Sequence, residues 1–416
     1  MTVFLPGGER RGAVRAPASK SAAQRLFYCA ALGAEPCEIA CGPLSEDLGA
    51  MLACLAALGA SVDVSDGRVR IEPIRLVPAR ELVLPCGESG AALRFLLPLV
   101  GALGAQALLE RRGRLPERPI ESLAGELRRH GMSIEEAGSA LRCSGRLRGG
   151  DWTLPGGVSS QFISALLLAL PLLDGDSALT IRGRLESAPY VSLTEQVLAA
   201  ASVRIEKDGA RYAIPGAQRP ALPPTLAVEG DWSAAAVFLA MGALSEKGVA
   251  VSGLDPASAQ GDRAVCELLR AFGAEVSVEG GCVRVCKKEL RGLRFDASQT
   301  PDLAPVAAAL GALAEGETRI VNAARLRFKE SDRLHTTAAM LASLGADVTE
   351  LPDALVLRGK SSLPGGETVG YSDHRVAMAA AVAACGCERG LTLRGAECIG
   401  KSYPRFWEDC RSLGGI

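Results

Sequence analysis

The sequence predicts an α/β (α+β) fold in two domains, each holding three repeats around buried parallel helices. Three observations lead there. A helix that ends in a small-residue turn and runs on into two short strands keeps returning; helices that are apolar almost all round recur; and two strand-like pieces precede the first helix. A chain of 416 residues is also long for one core.

Taken in order, the strand-like pieces are residues 2–5 and 13–15. The first clear copy of the repeat is the helix from Leu52 to the turn at Gly59, followed by short strands over 61–62 and 68–71. Further copies turn at Gly131, near Ala200, and at Gly273, Gly345 and Gly414. The interval is roughly 70 residues each time, which makes six repeats. Glycine after the helix suits a C-terminal cap in left-handed backbone, and the alternation beyond it, as over 275–278 and 282–285, suits strands.

The sixth copy reaches Ile416 just after its turn, without strands. The economical expectation is that 2–5 and 13–15 complete it, so both chain ends share one domain. That domain is 1–16 plus 225–416, and 17–224 is an insertion ending at the proline-rich stretch 220–224. Segments 162–170, 234–243, 306–314 and 376–384 have no polar face and are expected at the centre of their domains. If those helices are parallel, their N-termini point one way, and two domains face to face would gather them in one cleft.

Composition excludes several classes. A formal net charge of -1 gives no global basic field for nucleic acid or an anionic membrane, so an anion site must be local. Thirteen cysteines without paired spacing read as reduced thiols, and the three histidines, His130, His335 and His374, complete no zinc pattern. The longest apolar run, 162–173, is too short to span a bilayer, and the N-terminus lacks a signal-peptide core. A soluble cytoplasmic protein without a metal site is expected.

Charge collects where helices should begin. Arg327, Lys329, Glu330, Asp332 and Arg333 precede the helical pattern of Leu334, Ala338, Leu341 and Leu344. Cations there oppose the helix dipole at roughly 0.3–1 kcal/mol each. Either Glu330 and Asp332 neutralise them or a ligand does. The arrangement returns at Ser19-Lys20-Ser21 with Arg25, at Gly87-Glu88-Ser89-Gly90 with Arg94, and at Ser159-Ser160-Gln161. It returns again at Asp373-His374-Arg375 and at Lys401-Ser402-Tyr403-Pro404. Arg118, before Pro119, and Asp302, after Pro301, mark two more helix starts, and Asp302 also reads as an ordinary cap. No Gly-Lys-Ser/Thr follows Gly87, so this is not a P-loop. A guanidinium fork matches phosphate or carboxylate at about 1.5–3 kcal/mol per charge-assisted bond, which outweighs the dipole penalty. A substrate with two anionic centres is the expectation.

In order and over the whole length, Lys20-Ser21, Ser159-Ser160-Gln161, Lys329-Glu330-Ser331-Asp332-Arg333 and Asp373-His374-Arg375 resemble the enolpyruvyl transferases, in particular the branch acting on shikimate 3-phosphate. The resemblance implies two domains of three β-α-β-α-β-β units, an inside-out α/β barrel. It implies transfer of the enolpyruvyl group of phosphoenolpyruvate to the 5-hydroxyl of shikimate 3-phosphate, with release of phosphate, on the route to chorismate and aromatic amino acids. It further implies that Lys20, Ser21, Arg25, Ser159, Ser160, Gln161, Ser187, Asp302 and Lys329 hold shikimate 3-phosphate, with Tyr190 against its ring. Lys20, Gly90, Arg94, Arg118, Gln161, Arg333, Arg375 and Lys401 would surround phosphoenolpyruvate. Asp302 would be the general base, and Glu330, with Lys20 or His374, would handle the proton at the methylene carbon. The resemblance implies no metal or organic cofactor, and a monomer is expected.

Glu88 and Ala91 stand where the family often has Asn and Thr, and Arg325 where some members have a substrate-contacting Asn; Arg325 is left outside the site. The sister enzymes acting on UDP-N-acetylglucosamine typically carry a cysteine in the loop before the Arg-Pro pair, and residues 111–117 contain none. A non-catalytic anion-binding repeat protein would gain nothing from Asp302 and Glu330 among the cations.

Overall fold

One repeat shows how the pattern folds. In the computed structural model, which describes residues 1–415, strand Glu81–Pro85 leads into helix Gly90–Leu103 and strand Gln106–Glu110. Helix Glu121–Arg129 and the hairpin Met132–Ala137 and Ala140–Gly145 complete the unit. The first two strands pair in parallel and the hairpin adds antiparallel. Alternation sets the faces: Leu82 and Leu84 are buried while Val83 points outward. Gly131 turns the second helix into the hairpin at φ +110°, and a Cβ there would stand 2.6 Å from the Arg146 carbonyl, so only glycine fits. Ile416, the end of the sixth copy, lies outside the described residues.

The chain divides into two compact units, Ser19–Val228 and Met1–Ala18 with the chain from Glu229 onward. The inserted unit has three four-stranded sheets; the other has two of four strands and one of three. The sheets remain separate, so among the described residues no closed barrel forms, and "barrel" describes only helices enclosed by sheet. Trp232–Ala243, Ala304–Gly311 and His374–Ala384 are buried on essentially every face in one unit, and Gly90–Leu103 and Ser160–Ala169 nearly so in the other.

Two strands go elsewhere than the sequence suggested. Thr2–Leu5 does join the sixth repeat, antiparallel to Leu391–Arg394. Gly12–Arg15 instead runs parallel to Val249–Ser252 and leads the fourth repeat. The strand just before that repeat in sequence, Thr225–Ala227, is occupied with Cys37–Ala40 of the first repeat. A limit at 224 therefore cuts off a strand that hydrogen-bonds within the insert. Each unit thus takes one parallel strand from far along the chain.

Candidate active site

Four helix starts meet in the unit holding the N-terminus. Asp231 caps Trp232–Ala243, Asp332 caps Arg333–Ser343 and Asp373 caps His374–Ala384, each accepting a backbone N–H through its carboxylate. Asp302 lies in the 3-10 turn Pro301–Leu303 ahead of Ala304–Gly311 and makes no cap. Its carboxylate stands 2.9 Å from Arg333 Nη1, 3.4 Å from Arg375 Nη2 and 3.5 Å from Lys329 Nζ. Arg333, 1% exposed, also donates from Nε to Asp373 at 2.9 Å and from Nη2 to Glu330 at 2.5 Å. Arg375 Nη1 donates to the Ser233 carbonyl at 3.0 Å. His374 is buried as the first residue of its helix.

The electrostatics follow from this crowding. Burial pushes the Asp302 carboxyl up, but Lys329, Arg375 and Arg333 outweigh it and hold the group well below the usual carboxylate range. Burial acts the same way on Asp373, and Arg333 overcomes it. Arg333 is in turn held more firmly protonated, its burial outweighed by Asp373, Glu330 and Asp302.

Several placements differ from the sequence reading. Only Arg333 of the charged cluster lies in the helix; Lys329 and Glu330 occupy the connection after the 3-10 turn Ala324–Phe328, because the cap falls at Asp332. Neutralisation by neighbouring acids accounts for the outer face, where Arg327 pairs with Asp332 at 2.9 Å and Glu350 at 2.7 Å. Lys401 ends the 3-10 turn Ala396–Lys401 and heads no small-residue helix. Its ammonium reaches the Ser372 carbonyl at 3.0 Å, at the start of His374–Ala384. Arg325 donates to the Ser298 carbonyl at 3.1 Å.

A second gathering of helix starts lies in the inserted unit. Ser19, Ser89 and Ser159 cap Lys20–Leu32, Gly90–Leu103 and Ser160–Ala169. Gln24 Nε2 donates to Ser89 Oγ and to the Asp47 carbonyl, each at 3.3 Å, while Lys20 Nζ pairs with Asp47 at 2.7 Å. Arg94 Nη1 donates to Gln161 Oε1 at 2.6 Å. A Cβ on Gly90 would stand 2.7 Å from Arg94 Nη1 and 2.8 Å from Arg118 Nη1, so both guanidinium groups close over that glycine. Gly90, Arg94, Arg118 and Gln161 are therefore one group, with Lys20 tied to it through Asp47 and Gln24.

Arg25 belongs to a deeper group. It donates to Thr194 Oγ1 at 2.7 Å, the Ser21 carbonyl at 2.7 Å, the Tyr190 carbonyl at 3.0 Å and Ser164 Oγ at 3.4 Å, with its guanidinium 5.0 Å from the Phe95 ring centre. Burial lowers its pKa to about 10. Ser187 is buried with left-handed φ of 53° and does not cap Ala188–Ala200, whose first turn carries the half-buried Tyr190. Ser160 is buried at its helix start.

Sequence reasoning passed over Asp47, Ser164, Thr194 and the anchoring role of Asp373. Asp373 had a signal, since an acid beside a cation at a helix start often holds one elsewhere; Ser164 and Thr194 lie mid-helix and had none. Among the described residues no cluster of three or more His, Cys, Asp or Glu is disposed to hold a metal ion, and no helix is long and apolar enough to cross a membrane.

Comparison with known proteins gives a consistent result. The family model for EPSP synthase (3-phosphoshikimate 1-carboxyvinyltransferase) matches residues 6–410. The 3-phosphoshikimate 1-carboxyvinyltransferase of Clostridium kluyveri is 39% identical over 97% of this chain and 95% of its own, and that of Clostridium acetobutylicum 38% identical over the same shares. The solved EPSP synthase of Acinetobacter baumannii superposes with a TM-score of 0.83 at 25% identity, covering 100% of this chain and 98% of that one. The enolpyruvyl transferase NikO of Streptomyces tendae shares the fold, with a TM-score of 0.81 at 21% identity over 100% and 97%. Matched along nearly its full length by the family model and by relatives 38–39% identical to it, the chain belongs to the EPSP synthase family, the 3-phosphoshikimate 1-carboxyvinyltransferases.

Proposed function

We propose that both clusters serve one reaction, the family's enolpyruvyl transfer from phosphoenolpyruvate to the 5-hydroxyl of shikimate 3-phosphate. Phosphoenolpyruvate carries a phosphate and a carboxylate, and Arg94 and Arg118 over Gly90, with Gln161 and Lys20, offer it a concentrated set of donors. Arg333, Arg375 and Lys401 are likewise assigned to phosphoenolpyruvate. Shikimate 3-phosphate is assigned to Lys20, Ser21, Arg25, Ser159, Ser160 and Gln161, with Ser187, Tyr190, Asp302 and Lys329. Arg25 acts there chiefly by fixing Ser21, whose carbonyl it holds at 2.7 Å. Thirteen free thiols support a reducing, cytoplasmic compartment, and a monomer is the proposed working form.

The observation that carries the reading is Asp302, a carboxylate set among Lys329, Arg333 and Arg375. Protonation of the methylene carbon leaves the adjacent carbon cationic. The 5-hydroxyl oxygen attacks that carbon as Asp302 takes the hydroxyl proton, and loss of a proton from the new methyl group then expels phosphate. Glu330, with Lys20 or His374, is assigned the proton added to and lost from the methylene carbon.

A carboxylate held so far below its usual range is a weak base. The three cations around it are matched by Asp302, Glu330 and Asp373, and anionic substrates compete with those acids for them. Once substrate oxygens engage Arg375, Arg333 and Lys329, the field on Asp302 weakens and its proton affinity rises toward a working value. Asp302→Asn should bind both substrates, yet turn over at least about a hundredfold slower. Turnover near that of the native enzyme in a phosphate-release assay would remove Asp302 from the role.

A further inference from the structure

Asp262 lies in the 3-10 turn Gly261–Ala264, which no step above uses. The turn is pinned to the start of Trp232–Ala243: Gln260 accepts from the Trp232 N–H at 3.1 Å and donates to the Gly230 carbonyl at 2.8 Å. The Asp262 carboxylate is 2% exposed. One oxygen accepts from the Ser233 hydroxyl, and the other, Oδ1, is buried without a hydrogen-bond partner. The charged groups that reach it are Asp302, Arg375 and Asp231, from three different helix starts. Ser233 also offers its carbonyl to Arg375, so one residue links Asp262 to the guanidinium that faces Asp302.

A buried carboxyl with an unsatisfied oxygen beside another carboxylate costs stability, and such groups are kept where their charge is used. We propose that Asp262 is a positioning residue for the transfer reaction, keeping a second negative charge beside Arg375 and Asp302 so that Asp302 accepts the substrate proton more readily. The inference rests on Asp302 being the base. A like charge raises the proton affinity of Asp302 and at the same time offsets part of the pull of Arg375. Neutralising Asp262 should therefore slow the chemical step while leaving anion binding as strong or stronger.

Burial, then the neighbouring Asp302, pushes the Asp262 carboxyl up to about 6. It is thus charged at neutral pH and uncharged in mild acid. With its folded value above the unfolded one, its contribution to stability is complete below the ordinary carboxylate range and is lost as pH rises through about 6.

The test is Asp262→Asn, with Asp262→Ser as a smaller second variant, assayed for phosphate release and thermal unfolding against pH. At about pH 7.5 the Asn variant should show kcat about tenfold lower with KM for phosphoenolpyruvate unchanged or reduced, and its kcat profile should lose the limb near pH 6. Its Tm should exceed that of the native protein at about pH 7.5, and the difference should shrink as pH falls and vanish below about pH 4. Native kcat and pH profile in the variant would overturn the proposal, as would a lowered Tm with raised KM, or failure of both variants to fold, since a structural role then suffices. Native enzyme run alongside with phosphoenolpyruvate and shikimate 3-phosphate separates a failure of the functional reading from a failure of this one.

Discussion

Arg333 gives up its guanidinium nitrogens to Asp302, Glu330 and Asp373, and these three acids are not equivalent. Asp373 is fully buried, takes two Arg333 nitrogens and a bond from Ser331, and caps a helix. Removing its charge leaves the buried Arg333 with only the less buried Asp302 and Glu330 as counter-ions, so Asp373→Asn should lose about 3–5 kcal/mol in urea denaturation. A loss below about 1 kcal/mol would place the pair among interactions of the exposed kind. The pH dependence has a definite sign. Asp302 and Asp373 are both held below the ordinary range, so their contribution is present above the unfolded value of about 3.9 and is lost as pH falls through their folded values. Stability of the native protein should fall steeply in acid below about pH 4, and the Asp373→Asn variant should show a shallower fall.

At the scale of a helix start, Gly90 sets how near two arginines come to the N-terminus of Gly90–Leu103. A methyl group there meets the flexible ends of Arg94 and Arg118, which can swing aside, so the fold tolerates it while the donor pair is spread. Gly90→Ala should raise KM for phosphoenolpyruvate about tenfold and change stability by less than about 1 kcal/mol, as alanine suits a helix better than glycine. An unchanged KM would separate the arginine pair from phosphoenolpyruvate. Helix starts are also where the sequence was most legible. Ser19, Ser89, Ser159, Asp332 and Asp373 all lie in segments read as helix starts, and each caps its helix, because capping depends on residues two or three apart. The partners of Arg25 could not be read, since Ser164 and Thr194 reach it from two other helices and look locally like any mid-helix hydroxyl. Asp302 misleads for the opposite reason: a carboxylate after Pro301 has the local signature of a cap, and its real partners lie about thirty to seventy residues on.

For the whole molecule, the six-fold repeat was visible because each copy ends its second helix at a turn needing left-handed backbone, as at Gly131, Gly273 and Gly345. The exchange of leading strands was not, because Gly12–Arg15 and Thr225–Ala227 are short and pair with segments far away in sequence. The unit containing the N-terminus therefore depends on residues at the far end of the chain. Leu5 is fully buried on the strand that pairs with Leu391–Arg394, and Leu5→Ala should cost about 2–5 kcal/mol. Fluorescence should show the loss through Trp232 and Trp407, with Trp152 of the insert shifted less; equal shifts at all three would mean that the units unfold together. The account as a whole holds that two groups of helix-start cations, partly countered by their own carboxylates, consume phosphoenolpyruvate against one phosphorylated acceptor. Phosphate release on mixing the enzyme with phosphoenolpyruvate and shikimate 3-phosphate tests this most directly, with UDP-N-acetylglucosamine as the competing acceptor. Release with shikimate 3-phosphate and none with the sugar nucleotide is the predicted result; no release with shikimate 3-phosphate, or equal release with both, would contradict it.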